Sequence, residues 1–174
     1  MMLKGQVNKF GLNLKLDDVT PGEGNCFFIA VLQQLRRPEI YSTVSRSLKQ
    51  MADTWDHLAL RRAVCSFAKT STEVASRQET IHLGMHGVES WETYWGPNHM
   101  MGSSVWVDQA SVQVTAWFLG MDLLVLISSS NLKPAAPLLR IFGSFDEIVD
   151  GSRKELLIGT ELSLIHISEP TRPY

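Results

Sequence analysis

The sequence has no apolar run long enough to span a membrane, and its N-terminus has no signal-peptide hydrophobic region. It has only two cysteines, Cys26 and Cys65, which is too few for a disulfide framework and typical of a reducing compartment. It also has no excess of basic residues, since the net charge is −2, whereas nucleic-acid-binding domains usually present a basic face. These absences predict a cytoplasmic or nuclear protein that binds neither a membrane nor a nucleic acid.

The 174 residues are enough for one domain with a hydrophobic core, and a content of 44% hydrophobic and 20% charged residues is ordinary for a globular protein. Apolar residues at helical spacing predict helices over 40–53, 56–69, 91–101 and 105–119. In the second of these, Arg61 and Arg62 are predicted to point away from most of the apolar face. Cys65 lies within the apolar pattern, so we interpret it as a structural cysteine.

The second half of the chain carries the strand signals. Gly120 ends a helix, and residues 121–127 then form a continuous apolar run that predicts a central strand covered on both faces. Two shorter runs, 138–142 and 155–159, predict further strands. Helices followed by a small sheet predict the α+β class.

One glycine-rich turn places Cys26 on the first turn of an amphipathic helix that runs to Leu35. Asn25 is predicted to cap this helix, and the helix dipole is predicted to lower the pKa of the thiol. Unpaired backbone N–H groups there suit an oxyanion, and Gly22 and Gly24 leave room for a substrate backbone. From these residues alone, Cys26 is either a nucleophile or a small buried residue on a helix.

The same stretch resembles the nucleophile motif of ovarian-tumour (OTU) cysteine proteases, usually Gly-Asp-Gly-Asn-Cys followed by an aromatic residue or leucine and then Phe or Tyr; here it reads Gly22-Glu23-Gly24-Asn25-Cys26-Phe27-Phe28. The acidic position of the family motif holds Glu23 here, which adds a methylene to the usual Asp. A second block fits the order of the family's later elements: Trp106-Val107-Asp108, a helix to Leu119, Gly120, and the run Leu123 to Ile127. The resemblance covers residues 19–127, with a weaker fit to about Gly159.

The resemblance implies an α+β, papain-like OTU fold with helices packed on a small central β-sheet, in a domain over residues 19–161 that follows a lead-in over 1–18. It implies a deubiquitinase in which Cys26 forms a thioester with the ubiquitin C-terminus and Glu23 organises the loop. Gly24 and Asn25 would belong to the oxyanion and substrate loop. It also implies ubiquitin or ubiquitinated proteins as partners, and we further expect a monomer that needs no cofactor and no metal.

The family's general-base histidine follows the last strand, where this chain has His166. However, residues 162–174 resemble the in-frame translation of a transposase sequencing adaptor, so we expect a domain truncated at its C-terminus and impaired in catalysis. His57 and His99 lie in segments that the family does not use for the base. The same holds for His82 and His86, which have metal-ligand spacing but are separated by Gly84 and lack a third ligand.

Two alternatives to the deubiquitinase hypothesis stay open. The first is a non-catalytic ubiquitin-binding or scaffold module, which the exchange of Asp for Glu23 supports. The second is a thiol hydrolase of the papain-like kind that acts on an unrelated amide.

Overall fold

The computed structural model describes residues 24–81, 88, 90–126, 138–145 and 155–158. Within these residues the chain forms, in order, α1 (Cys26–Leu35), α2 (Pro38–Tyr41), α3 (Arg46–Thr54), α4 (His57–Thr70), α5 (Thr72–Ser76), α6 (Gln78–Ile81), α7 (Trp91–Tyr94), α8 (Gln109–Leu119), β1 (Asp122–Leu126), β2 (Leu138–Ile141) and β3 (Glu155–Ile158). No helix in this part of the chain is both long and apolar enough to cross a membrane.

Local capping sets the ends of the two longest helices. The Asp56 carboxylate accepts a hydrogen bond from the Ala59 amide at 2.7 Å, which starts α4 at His57. Asp108 and Ser111 form a reciprocal capping box at the start of α8. Gly120 ends α8 at φ 61°, a left-handed conformation that glycine adopts without a steric penalty.

Three predicted helices are shorter than the apolar spacing indicates, the first of them being 105–119, which begins only at Gln109 after the Asp108 cap. The segment 40–53 is divided between α2 and α3, because Ser45 is extended and its side chain accepts the Leu48 amide to start a new helix. The predicted helix over 91–101 ends at Tyr94 and continues as turns. Spacing alone missed these boundaries because cap and turn residues set them.

The three strands lie in the order β2-β1-β3. The central strand β1 is antiparallel to β2, where Leu123 lies opposite Ile141, and parallel to β3, where Leu123 lies opposite Leu156. The strands fall within the segments that the sequence predicts.

The prediction of an α+β, papain-like fold with helices packed on a central sheet is nevertheless wrong. The described chain is mostly helical, and its strands have five, four and four residues. Among the described buried apolar side chains, only Leu123, Val125 and Ile141 belong to strands. The remaining core comes from the helices and their connections, with α4 in contact with both α1 and α8. The apolar run after Gly120 correctly indicates a strand, but it does not show that helices supply most of the core.

Candidate functional site

Cys26 is the first residue of α1 and directly follows a turn formed by Gly24 and Asn25. The Ile29 amide donates to the Asn25 carbonyl at 3.1 Å, which closes the first helical turn around the cysteine. The thiol is placed at the helix N-terminus as predicted. However, the residue is only 2% exposed, so substrate access is restricted in this conformation.

Asn25 does not cap the helix with its side chain, which contradicts the prediction. Its backbone is in the right-handed helical region, at φ −97° and ψ −3°, and its side chain makes no cap hydrogen bond. Instead, its Oδ1 accepts a hydrogen bond from Nη1 of Arg61 at 2.8 Å. The Asn25 side chain therefore connects the cysteine turn to α4.

Gly24 lies so close to the backbone of residues 103–105 that only a residue without a Cβ fits there. A Cβ atom at this position would lie 2.7 Å from the carbonyl oxygen of Ser103 and 2.9 Å from that of Val105. The space that the sequence analysis assigned to a substrate backbone is therefore occupied by the chain's own residues 103–105. Gly22 and Glu23 lie outside the described residues.

The pKa of the Cys26 thiol is raised, whereas the sequence analysis predicted that it would be lowered. Burial has the largest effect, because a thiolate loses more hydration than a thiol does. The backbone amides of Phe27 and Cys26 and the charge of Arg61 act in the opposite direction and favour the thiolate. The backbone amides at the helix terminus lower the pKa of the thiol, as predicted, but burial raises it by more.

Arg61 is the site residue that the sequence analysis missed. It was predicted to point away from the apolar face of α4, yet it is 0% exposed. Its Nε donates to the Met100 carbonyl at 2.6 Å, and its Nη1 donates to the Gly24 carbonyl at 2.9 Å. A signal was present in the sequence, since Arg61 is three residues before Val64 and four before Cys65, both of which are completely buried.

Cys65 lies inside the core, and its burial fits the prediction of a structural cysteine. Burial raises the pKa of its thiol to about 11, so the group is neutral at physiological pH. The two cysteines are both free and both buried, and they differ in that only Cys26 lies at a helix terminus.

The described histidines show no connection to Cys26. Nδ1 of His99 lies 3.1 Å from the carbonyl oxygen of Tyr94, and its ring packs against the Tyr94 ring. His57 is the first residue of α4, and neither histidine is among the described groups that act on the Cys26 thiol. The candidate base His166, like His82 and His86, lies outside the described residues. Within the part of the chain that is described, no three His, Cys, Asp or Glu side chains cluster as metal ligands would.

No protein-family model matches the chain, and no curated protein matches it. The resemblance to OTU proteases therefore rests on the motifs of the sequence alone.

Proposed function

We propose that this protein is an OTU-like, cysteine-type deubiquitinase that cleaves isopeptide or peptide bonds at the ubiquitin C-terminus. The observation that carries the proposal is the placement of Cys26 at the start of α1, where the amides of Cys26 and Phe27 favour its thiolate. The two free cysteines are consistent with action in the cytoplasm or nucleus.

In the proposed reaction, Sγ of Cys26 attacks the carbonyl carbon of the scissile bond. A carbon–sulfur bond forms, and the carbonyl oxygen takes up the negative charge, which backbone N–H groups of the cysteine turn stabilise. The carbon–nitrogen bond then breaks, and the amine leaves with a proton supplied by the general acid. Water hydrolyses the thioester and regenerates the thiol. The resemblance assigns the proton transfers to a histidine, and Glu23 to the organisation of the loop.

The burial of Cys26 favours a second candidate, a non-catalytic ubiquitin-binding or scaffold module. A residue that is 2% exposed and has a raised pKa is poorly suited to attack a substrate without a rearrangement. In that case Cys26 is a core residue of α1, and any ubiquitin binding occurs elsewhere on the surface.

A ubiquitin derivative with a thiol-reactive C-terminal electrophile distinguishes these candidates. For a deubiquitinase we expect a covalent adduct, slowed but not abolished by the expected impairment of the general base, with the parent chain and with Cys65→Ala, and none with Cys26→Ala. The Cys65→Ala variant is the matched control, because it also removes one buried thiol and leaves the cysteine turn unchanged. An adduct that persists in Cys26→Ala removes this residue from the mechanism.

Binding of unmodified ubiquitin, measured by titration calorimetry, separates the remaining cases. Ubiquitin binding without adduct formation by the parent chain supports the scaffold candidate. A chain that neither binds ubiquitin nor reacts with the probe, yet hydrolyses other activated amides through Cys26, is a thiol hydrolase of different specificity.

A further inference from the structure

The Arg61 guanidinium connects three separate segments of the chain inside the core. Besides its bonds to the Gly24 and Met100 carbonyls, its Nη1 donates to Asn25 Oδ1 at 2.8 Å and its Nη2 donates to the Val105 carbonyl at 2.5 Å. Nη2 also lies 3.9 Å from the Met100 sulfur. The planar guanidinium has five N–H donors in a fixed geometry, so it can hold several acceptors in one mutual arrangement.

Among the described residues, the acceptors around this buried cation are neutral oxygens and the Met100 sulfur. A buried charge with no anionic partner is unfavourable in a protein core, and burial lowers the pKa of Arg61. Cys65 and Cys26 favour its charged form only where they are ionised to thiolates. The face of Phe28, 5.3 Å from the guanidinium carbon, provides a cation–π contact. An apolar side chain here would leave the carbonyls of Gly24, Met100 and Val105 without this donor, so the guanidinium has a bonding role that packing alone does not supply.

A second observation concerns the cysteine turn and residues 100–105, two of the segments that Arg61 connects. The backbone of residues 103–105 approaches Gly24 so closely that no Cβ fits between them. The cysteine turn is therefore held against residues 100–105 in two ways, by direct backbone contact and through Arg61.

We propose that Arg61 is a positioning residue for Cys26: it fixes the Gly24–Asn25 turn against residues 100–105 and so aligns the backbone amides at the start of α1 with the nucleophilic sulfur. This inference rests on the proposed function. Arg61 acts through the turn and does not itself contact the scissile bond.

The test uses the variants Arg61→Lys and Arg61→Met, each in a Cys65→Ala background so that Cys26 is the remaining thiol. Lysine keeps the charge but cannot reproduce the fork of donors, whereas methionine keeps the length and removes both. Arg62→Met is the matched control, since Arg62 is the adjacent residue of α4 and is exposed. The first readout is the rate of Cys26 alkylation by iodoacetamide from pH 7 to 11.5, and the second is the rate of adduct formation with the ubiquitin probe. Thermal unfolding identifies the variants that are folded.

For Arg61→Lys we expect a folded protein with a higher midpoint in the alkylation profile, because the amides no longer favour the thiolate. Among the described residues, the charged group that acts on Cys26 is Arg61, so no other described charge obscures the shift. We expect adduct formation to slow roughly 10- to 100-fold, as for a small misplacement of a reacting group, with little change in ubiquitin affinity. Arg62→Met should behave as the parent chain in both assays.

An unchanged midpoint and an unchanged labelling rate in folded Arg61→Lys overturn the inference. If both Arg61 variants fail to fold, Asn25→Ala decides, because it removes one acceptor of the guanidinium; an unchanged midpoint there also overturns the inference. Failure of the proposed function is recognised separately. In that case the parent chain does not react with the ubiquitin probe, while iodoacetamide still reports whether Arg61 controls the thiol.

Discussion

Replacing Gly24 by alanine tests the packing at the cysteine turn most directly. The added Cβ would lie 2.7 Å from the Ser103 oxygen, 2.9 Å from the Ser104 carbonyl carbon and 2.9 Å from the Val105 oxygen. Ordinary contacts begin at 3.4 Å, so the closest pair has to separate by 0.7 Å. All three neighbours are backbone atoms, and rotation of a side chain cannot relieve the contact.

Overpacking of this kind costs about 1–3 kcal/mol, and we expect a value near the upper limit because the separation also strains the bond between Arg61 and the Gly24 carbonyl. For a domain of this size, a loss of about 3 kcal/mol lowers the Tm by roughly 6–12 °C. Urea denaturation should show a lower midpoint with an unchanged slope. At a pH above its midpoint, Cys26 alkylation should accelerate because separation of the two segments exposes the thiol, while the midpoint itself should rise as in the Arg61 variants.

Gly120→Ala is the matched control, since it is also a glycine-to-alanine change but has a different cause of destabilisation. A Cβ at Gly120 meets no atom within 4 Å, and the cost arises only from its φ of 61°. We expect a loss of about 1–2 kcal/mol and an unchanged rate of Cys26 alkylation. A Gly24→Ala protein whose free energy of unfolding lies within about 0.5 kcal/mol of the parent value would refute the packing argument, because a change that small is typical of surface substitutions.

Two further predictions concern stability. Asp108→Ala removes both the cap of α8 and the acceptor of the buried Tyr94 hydroxyl, so we expect urea denaturation to show a loss of roughly 2–4 kcal/mol. Tyr94→Phe leaves the cap in place and should cost less; equal losses in the two variants would contradict the dual role of Asp108. The second prediction concerns the Cys65 thiol, whose pKa is raised from 9.0 to about 11 in the folded protein. Folding then favours the protonated thiol, so this contribution to the free energy of unfolding is fully present below pH 9 and is lost as the pH rises through about 11. Between pH 9 and about 11, we expect the free energy of unfolding to fall by about 2–3 kcal/mol less in Cys65→Ala than in the parent chain. Parallel plots of unfolding free energy against pH for the two proteins would disprove this prediction.

The features that the sequence predicted well depend on neighbouring residues. Asp56 starts α4 and Gly120 ends α8, because a carboxylate that accepts an amide three residues on, or a left-handed glycine, acts within one helical turn. The strand after Gly120 was also predicted from a continuous apolar run. The fold class was not predicted correctly, because the share of the core that helices and strands supply depends on how all the elements pack.

The features that the sequence predicted poorly depend on residues far apart in the chain. The acceptors of Arg61 lie 36 to 44 residues away from it, so the local sequence predicts an arginine that points away from the apolar face. Its spacing from Val64 and Cys65 pointed to the buried face, but the usual preference of arginine for the surface outweighed that signal. The pKa of Cys26 was predicted in the wrong direction for a similar reason, because the helix terminus is local whereas burial is a property of the whole fold.

The effects on the Cys26 thiol differ in what happens to them when the site opens. The effect of burial, which raises the pKa, disappears once water reaches the sulfur. The amides of Cys26 and Phe27 belong to the first turn of α1, and Arg61 is bonded to the adjacent residues, so these stabilising groups stay beside the sulfur as long as those bonds persist. Opening therefore removes the effect that favours the thiol and keeps those that favour the thiolate. If the proposed function is correct, we expect a thiol that stays protonated and unreactive while buried, and a pKa that falls when substrate binding exposes it.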